Sequence, residues 1–346
     1  MITRDDVAKY AGVSPATVSN VLNGSKFVSA ELVNRVEQAI SELGYIPNRA
    51  AKSLASKKTD HVGILVPTLS NPYYGTIAEG MESIARHHGY IVSLIMAEGS
   101  TDQYISRIIE RQLDGVFLSD FNFGLTNKQL LHMKNKGVHF IIGGDSSRSD
   151  STSATLSGPR ITVNYENSIY EMLLYLKRLG HKRIAFLSGN DPLITEARQT
   201  LILKWSHELG FDNDPNLVVS GTPPYMTLAE DGYRDTKRLL SGRKDFTAII
   251  TLNDLMAFGA MKAIREAGLH IPNDISVIGF DNIYLSETAC PPLTTIHIPK
   301  YEIGQIAMQL LLKMIDGEDV QSIKLESSFI MRDSVAPAKK IDKLTN

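Results

Sequence analysis

The sequence predicts a small all-α unit at the N-terminus followed by a two-lobed α/β core with parallel sheets. Three observations predict it. Apolar residues recur at helical spacing between Val7 and Leu43, interrupted by two sets of cap and turn residues. From His61 onward, short apolar runs alternate with amphipathic segments, the pattern of parallel strands joined by crossover helices. That alternation runs twice, once on each side of a Ser/Thr-rich stretch at 146–157. The 346 residues suffice for two or three domains.

The first unit opens at Thr3, an N-cap followed three residues later by Asp6, as in a capping box. Val7, Ala8 and Ala11 form one apolar helix face, and Gly12 permits a sharp turn. Ser14-Pro15 then supplies a second N-cap with proline at the first helical position. The second helix buries Val18, Val21 and Leu22, leaving Ala16, Thr17, Ser19, Asn20 and Asn23 on its other faces. Small Ala8 near Gly12 lets the two helices cross closely, as a helix-turn-helix requires, although an ordinary helical hairpin fits the same residues. Ser29 is expected to cap a third helix, Ala30–Leu43, with Leu32, Val33, Val36, Ala39, Ile40 and Leu43 inward and Gly44 closing it. A core this small gains from dimerisation or from DNA.

Residues 45–59, YIPNRAAKSLASKKT, contain good helix formers but span about two turns, below the roughly 12 residues that hold a helix alone in water. Leu54 stands among Arg49, Lys52, Lys57 and Lys58. It reads either as a wedge between base pairs with lysines on phosphate, or as a linker residue packing on the next domain.

In the core, VGILVP (62–67), YIVSLIM (90–96), DGVFLS (114–119) and HFIIGG (139–144) read as strands. Helices are expected at 77–88, 103–112 and 127–135. The second set reads ITVNY, RIAFLSG, LVVSG, AIITLND and ISVIGFD as strands, with helices near 167–179, 195–209, 228–241 and 254–267. KLESSFIMRDSVAP (324–337) reads as one final strand and exit, and the rest as a loose tail without a leucine heptad. Two such lobes place a ligand cleft at the strand C-terminal ends. Ser70-Asn71-Pro72-Tyr73-Tyr74-Gly75, Asn253-Asp254, Asp281-Asn282 and Arg198 are its candidate lining. Carboxylate, amide and guanidinium groups beside aromatic faces suit a sugar or polyol, and each residue alone also fits a turn or cap.

Composition narrows the function. A net charge of −2 is not that of a uniformly basic nucleic-acid binder, although the first sixty residues carry eight Lys and Arg against six Asp and Glu. A single cysteine, Cys290, leaves no intrachain disulfide and no multi-cysteine zinc site. The polar N-terminus does not read as a signal peptide and no apolar run approaches 18 residues, so a cytoplasmic protein without membrane contact is expected. GxGxxG after the first strand, GxxxxGK[ST], GxSxG and HExxH are absent. His87-His88 point in different directions on a helix, a poor metal site. No enzyme, metal or cofactor is expected.

DVAKYAGVSPATVSNVLNG, LGYIPNRAAKSLAS, VGILVPTLSNPYYG, LGHKRIAFLSG, TLNDLMAFGAMKAIREAGLHIPNDISVIGFDN and PPLTTIHIPKYEIGQIAM, in this order and across essentially the whole chain, resemble the lactose-repressor (LacI/GalR) family of bacterial transcription regulators. The resemblance implies a helix-turn-helix domain at 1–46, a hinge at 47–59 and a periplasmic-binding-protein-like core at 60–338. It divides the core into an N-lobe of about 60–161 and 293–322 and a C-lobe of about 162–292 and 323–338, with a tail at 339–346. It implies a repressor that binds double-stranded operator DNA as a homodimer or a dimer of dimers, of which the tail without a leucine heptad favours the dimer. The same resemblance associates it with the nucleoid and implies allosteric control by a small molecule, a sugar or sugar derivative. By family position Pro15, Ala16 and Asn20 face base edges, while Thr3, Ser14, Thr17, Ser19 and Asn23 contact phosphates. The hinge adds Asn48, Ala51, Leu54 and Ala55, with Leu54 at the family's minor-groove leucine. Asn71, Tyr73, Arg198, Asn253 and Asp281 surround the effector. The chain departs from the family at Pro15 and Ala16 (neither offers a side-chain hydrogen bond), at Asn20 (arginine or histidine is frequent), at Leu201 (a glycine is expected near there), at the long loop 146–157 and at Asn164 (aspartate is common). The alternative is a sensor of the same core controlled by a partner protein near KYEIGQIAM, where Gln309 replaces a basic residue.

Overall fold

The computed structural model describes all residues except 1, 24–25, 47–57, 120–123, 146–156, 190–191, 213, 222–226, 244 and 340–346, and only the backbone of 23, 189 and 192–197. The hinge residues Asn48, Ala51, Leu54 and Ala55, the Asn23 side chain, nearly all of the Ser/Thr-rich stretch and the tail beyond Lys339 therefore lie outside the described residues. The chain divides into two units, Met1–Thr59 and Asp60–Asn346.

In the first unit α1 (Arg4–Ala11), α2 (Pro15–Asn23) and α3 (Ala30–Leu43) form where the cap signals place them. Thr3 and Asp6 make a reciprocal capping box. Gly12 takes the left-handed conformation at φ 63°, and a Cβ there would lie 2.6 Å from Nη2 of Arg35. That guanidinium instead donates to the Ala11 carbonyl at 2.5 Å, satisfying an orphan acceptor at the end of α1. Ser29 stands at the N-cap of α3 with extended backbone, but its side chain makes no cap hydrogen bond, contrary to the expected cap. Val7, Ala8, Ala11, Val18, Val36 and Ala39 form the buried centre, with Val21, Leu22, Ile40 and Leu43 packed around it.

The second unit begins with β1 (His61–Val66), α4 (Pro72–Ala85), β2 (Ile91–Met96), α5 (Thr101–Glu110), β3 (Gly115–Leu118), α6 (Asn127–Asn135), β4 (His139–Asp145) and β5 (Arg160–Asn164). It continues through α7 (Glu166–Arg178), β6 (Ile184–Gly189), α8 (Pro192–Glu208), β7 (Val218–Ser220), α9 (Ala229–Gly242), β8 (Ala248–Thr251), α10 (Asp254–Glu266) and β9 (Ser276–Asp281). It ends with α11 (Leu285–Thr288), β10 (Thr294–His297), α12 (Lys300–Ile315), β11 (Ile323–Glu326) and β12 (Ser328–Ile330). α4 starts five residues before the expected helix, because Asn71 caps it and Pro72 fits its first position.

Among the described residues the first sheet has the order β11-β5-β4-β3-β1-β2 and the second β12-β10-β9-β8-β6-β7. The first is parallel throughout, while β12 runs antiparallel to β10 at the edge of the second. These orders correct the expected lobe boundaries. ITVNY forms β5 of the first sheet, TTIH forms an unforeseen β10 of the second, and the expected final strand splits into β11 and β12 in different sheets. The chain thus crosses between lobes near 165, 299 and 327. Short strands such as these carry no mark in their own residues of which sheet they join. On β1, Val62, Ile64 and Val66 enter one hydrophobic cluster and Leu65 the other, so the uninterrupted apolar run reflects cover on both faces.

Candidate functional site

On the surface of the first unit, Ser14, Pro15 and Ala16 are exposed while Val18 is fully buried, so the start of α2 faces outward on its small polar side. The Ser14 hydroxyl accepts from the Thr17 amide at 3.1 Å and pairs with the Thr17 hydroxyl at 2.9 Å. Thr17, Ser19 and Asn20 are half-buried. The Thr3 hydroxyl, assigned by resemblance to phosphate, is occupied with Asp6 at 2.7 Å. Arg4, which the sequence reasoning passed over, donates to the Ser19 hydroxyl at 2.9 Å and puts a cation beside α2. An outward helix N-terminus bordered by hydroxyls and a guanidinium is an anion-accepting surface.

In the core, the strand ends bring three of the five predicted effector residues together. Asn71, buried at the tip of α4, accepts from the Tyr73 amide at 3.0 Å, and its side-chain amide lies near the Asp281 carboxylate and favours the ionised form. The two residues come from opposite lobes, since Asn71 follows β1 and Asp281 ends β9. Arg198 of α8 stacks between the rings of Tyr165, at 4.9 Å, and Phe280, at 5.0 Å. It donates to the Leu252 carbonyl at 2.7 Å and to the Tyr165 hydroxyl at 3.1 Å, fixing the guanidinium beside Asp281. Tyr73 stands next to Asn71, edge-on to Tyr74 with centroids 5.1 Å apart. Asn253 follows β8 as Asp281 ends β9, but its side chain is committed to the fold. It caps α10 through the Met256 amide (2.9 Å) and donates to the Thr227 carbonyl (2.9 Å).

Asp254, expected to line the cleft, points inward instead. Fully buried, it accepts from the Ile283 amide (2.9 Å), the Ser286 hydroxyl (2.6 Å) and the Thr295 hydroxyl (2.6 Å). It is a hub that closes the lobe. Sequence reasoning also missed Lys300, whose ammonium lies buried near both acids. A lysine closing the otherwise apolar IHIP stretch was its one visible signal.

The electrostatics follow from burial. Loss of water pushes the Asp281 carboxyl above the ordinary carboxylate range, and Asp254 adds to the rise, against the opposing pull of Arg198, Lys300 and the Asn71 amide. Burial lowers Lys300, opposed by Asp281 and Asp254. The backbone at Asp281 and Asn282 is left-handed, with φ of 104° and 51°, at a cost of roughly 1–3 kcal/mol per residue. A strained, desolvated acid facing an amide from the opposite lobe is an acceptor poised for a hydroxyl-bearing ligand. A separate cavity of about 460 Å³ lies between α8 and β6 and β7, lined by Phe186, Ile202 and Phe211, and none of the predicted effector residues line it.

Residues 3–48 match the family of bacterial regulatory proteins named for lacI, and residues 173–335 match a periplasmic binding protein-like domain. The chain is 34% identical to the catabolite control protein A of Priestia megaterium over 93% of this chain and 95% of that protein. It is 32% identical to the HTH-type transcriptional repressor PurR of Aliivibrio fischeri (strain ATCC 700601 / ES114) over 97% of this chain and 99% of that one. The lac repressor dimer bound to operator and an anti-inducer superposes with a TM-score of 0.77 at 29% identity, covering 97% of this chain and 99% of that chain. A regulator of the same family from Enterococcus faecium with bound ribose gives 0.69 at 27% identity, covering 81% of this chain and 100% of that chain.

Proposed function

The chain belongs to the lacI family of bacterial regulatory proteins, and on that premise we propose that it is a dimeric repressor whose hold on operator DNA is set by a sugar or sugar derivative in the cleft. The observation that carries the effector reading is the convergence of Asn71, Arg198 and Asp281 from the two lobes on one buried carboxylate. Vicinal hydroxyls satisfy such an acceptor while an apolar sugar face lies against Tyr73, and ribose in the Enterococcus faecium relative is in keeping with that chemistry. The relatives are transcriptional regulators, and this chain is read as a non-catalytic one acting in the cytoplasm, where its DNA is. Among the described residues no helix is long and apolar enough to cross a membrane.

On DNA, α2 enters the major groove with Pro15, Ala16 and Asn20 toward base edges, while Thr3, Ser14, Thr17, Ser19 and Asn23 hold phosphates. Asn20 is the one of the three base-facing side chains with a bidentate hydrogen-bonding pattern, matching adenine. In the hinge, Asn48, Ala51, Leu54 and Ala55 take the minor-groove role that the family resemblance gives them. The effector acts by favouring one arrangement of the lobes, and a coupling of about 1–3 kcal/mol changes operator affinity roughly 5–150-fold. Selection of bound duplexes from a random DNA pool by the purified full chain tests this. The reading expects a near-palindrome with two-fold-related half-sites. No enrichment, with or without a panel of sugars, would overturn it.

A further inference from the structure

The cavity of about 460 Å³ beside α8 has two walls of different character. One is apolar, made by Ile184 and Phe186 of β6, Val218 of β7 and Phe211 from the turn after α8. The other is α8 itself, which presents Gln199, Ile202, Leu203 and Ser206. A helix laid on a sheet is expected to turn apolar residues toward it, as Ile202 and Leu203 do. Gln199 and Ser206 share that face one turn to either side, where apolar residues would pack. Neither side chain has a hydrogen-bond partner among the described residues, and Ser206 is only 7% exposed. A buried hydroxyl without a partner destabilises the fold, so serine gains its partner there only from a molecule in the cavity.

The rim decides the charge of that molecule. The cavity meets solvent at Leu203, which is 40% exposed, and at Asp212, whose side chain is 59% exposed. Arg183 pairs with Asp212 (3.3 Å), Asp214 (2.9 Å) and Asp245 (2.7 Å), and Arg243 pairs with Asp214 (2.6 Å) and Asp245 (2.8 Å). Two guanidinium groups against three carboxylates leave the rim negative, which repels an anion. The carboxylates are already paired, and the interior offers a cation nothing but neutral groups. An uncharged ligand meets both conditions. Its length follows from the helix, since Gln199 and Ser206 lie two turns apart, about 11 Å. One aromatic ring with a polar group at each end spans that distance together with a hydrogen bond of about 3 Å to either residue.

We propose that this cavity is a second small-molecule site, separate from the cleft, for an uncharged aromatic ring with hydrogen-bonding groups at opposite ends. The ring lies among Phe186, Phe211 and Ile202. Gln199 takes an amide end through its paired donor and acceptor, and Ser206 takes a hydroxyl end. Cavities of about 300–1,000 Å³ are the usual size for such ligands. Gln199 directly follows Arg198, so an occupant bears on the helix that carries the cleft's guanidinium. The site itself stands apart from the effector reading, because none of Asn71, Tyr73, Arg198, Asn253 and Asp281 lines it.

Isothermal titration calorimetry of the full chain with 4-hydroxybenzamide tests the proposal. Emission of Trp205, the single tryptophan and the neighbour of Ser206, should change in step with the heat. One saturable site per chain is expected, and the anion 4-hydroxybenzoate should bind at least about tenfold more weakly. Gln199→Leu and Ser206→Ala should each weaken the amide about tenfold, the loss of one hydrogen bond. Neither should lower the melting temperature, because each removes a group that the fold leaves without a partner. Absence of saturable binding, equal affinity in wild type and both variants, or tighter binding of 4-hydroxybenzoate would overturn the proposal. So would a lower melting temperature for Ser206→Ala, which assigns the hydroxyl to the fold, or weaker binding in Asp281→Asn, which puts the probe in the cleft. A failed effector reading leaves every one of these outcomes in place.

Discussion

The cleft side of the first lobe carries Asn71, Tyr73 and Tyr74, neutral groups gathered around a helix cap, whereas the second lobe carries Asp254, Asp281 and Arg198, all ionisable and all buried. Buried charge requires partners, and the second lobe supplies most of them from within itself. Asp254 is satisfied by three donors of its own lobe, and Arg198 is held by a carbonyl, a hydroxyl and two ring faces. Asp281 is different, because an amide of the opposite lobe contributes to its stabilisation. The charges of the second lobe therefore divide into those that hold the fold and one that reports on the cleft, and the neutral lip of the first lobe is the element free to exchange partners.

The sharpest way to break that division is Asp254→Ala. It orphans the Ile283 amide and the Ser286 and Thr295 hydroxyls, and should cost about 3–5 kcal/mol in denaturant unfolding. Asp281→Asn should cost much less and show itself through pH. Because burial raises the folded carboxyl above its unfolded value, the folded state keeps a proton that the unfolded chain releases. The stability tied to that proton is complete below the unfolded value, near ~4, and is lost as pH rises through the raised folded value. Asp281→Asn should flatten that part of the stability profile, which thermal melts across the window would reveal. In the neutral lip, Asn71→Ala removes a helix cap and should cost about 1 kcal/mol by the same melts. The smallest effect belongs to Asp214, in the loop before β7, where the hydrogen-bonded Arg243 guanidinium holds the carboxyl down at about 2. Its contribution is present above the ordinary carboxylate range and fades as pH falls toward that value. Asp214→Asn should therefore change melting on the acid side while leaving the cleft's behaviour untouched.

Local chemistry was the legible part of the sequence. The Thr3–Asp6 capping box, the Ser14-Pro15 start and the Ala30–Leu43 helix each depend on neighbours within a few residues, and each is present where the pattern put it. Parallel strands were legible as apolar runs, but their sheet was not. β5 buries only Ile161 and Val163, and β10 is a four-residue run, patterns that would suit either sheet, and the deciding hydrogen bonds come from strands far away in the chain. The same distance hid the working parts of the cleft. Arg198, Asn253 and Asp281 are legible as cleft candidates from their places in the strand–helix alternation, but no spacing rule shows that Asn253 spends its side chain on Thr227 or that Arg198 lies between Tyr165 and Phe280. Lys300 reads in sequence as an ordinary first residue of a helix. Its importance appears only when α12 packs on one lobe and reaches the backbone of the other.

The central claim is that occupancy of the cleft at Asp281 controls hold on DNA. The measurement that meets it most directly is operator affinity, using the duplex recovered by selection, titrated with ribose and then a sugar panel for wild type and Asp281→Asn side by side. The account predicts a sugar that changes wild-type affinity by a factor within roughly 5–150. In Asp281→Asn the same change should require about 10–100-fold more sugar, the loss of a charge-assisted hydrogen bond. A sugar that acts on both proteins at the same concentration, or a panel in which none acts on wild type, would contradict it.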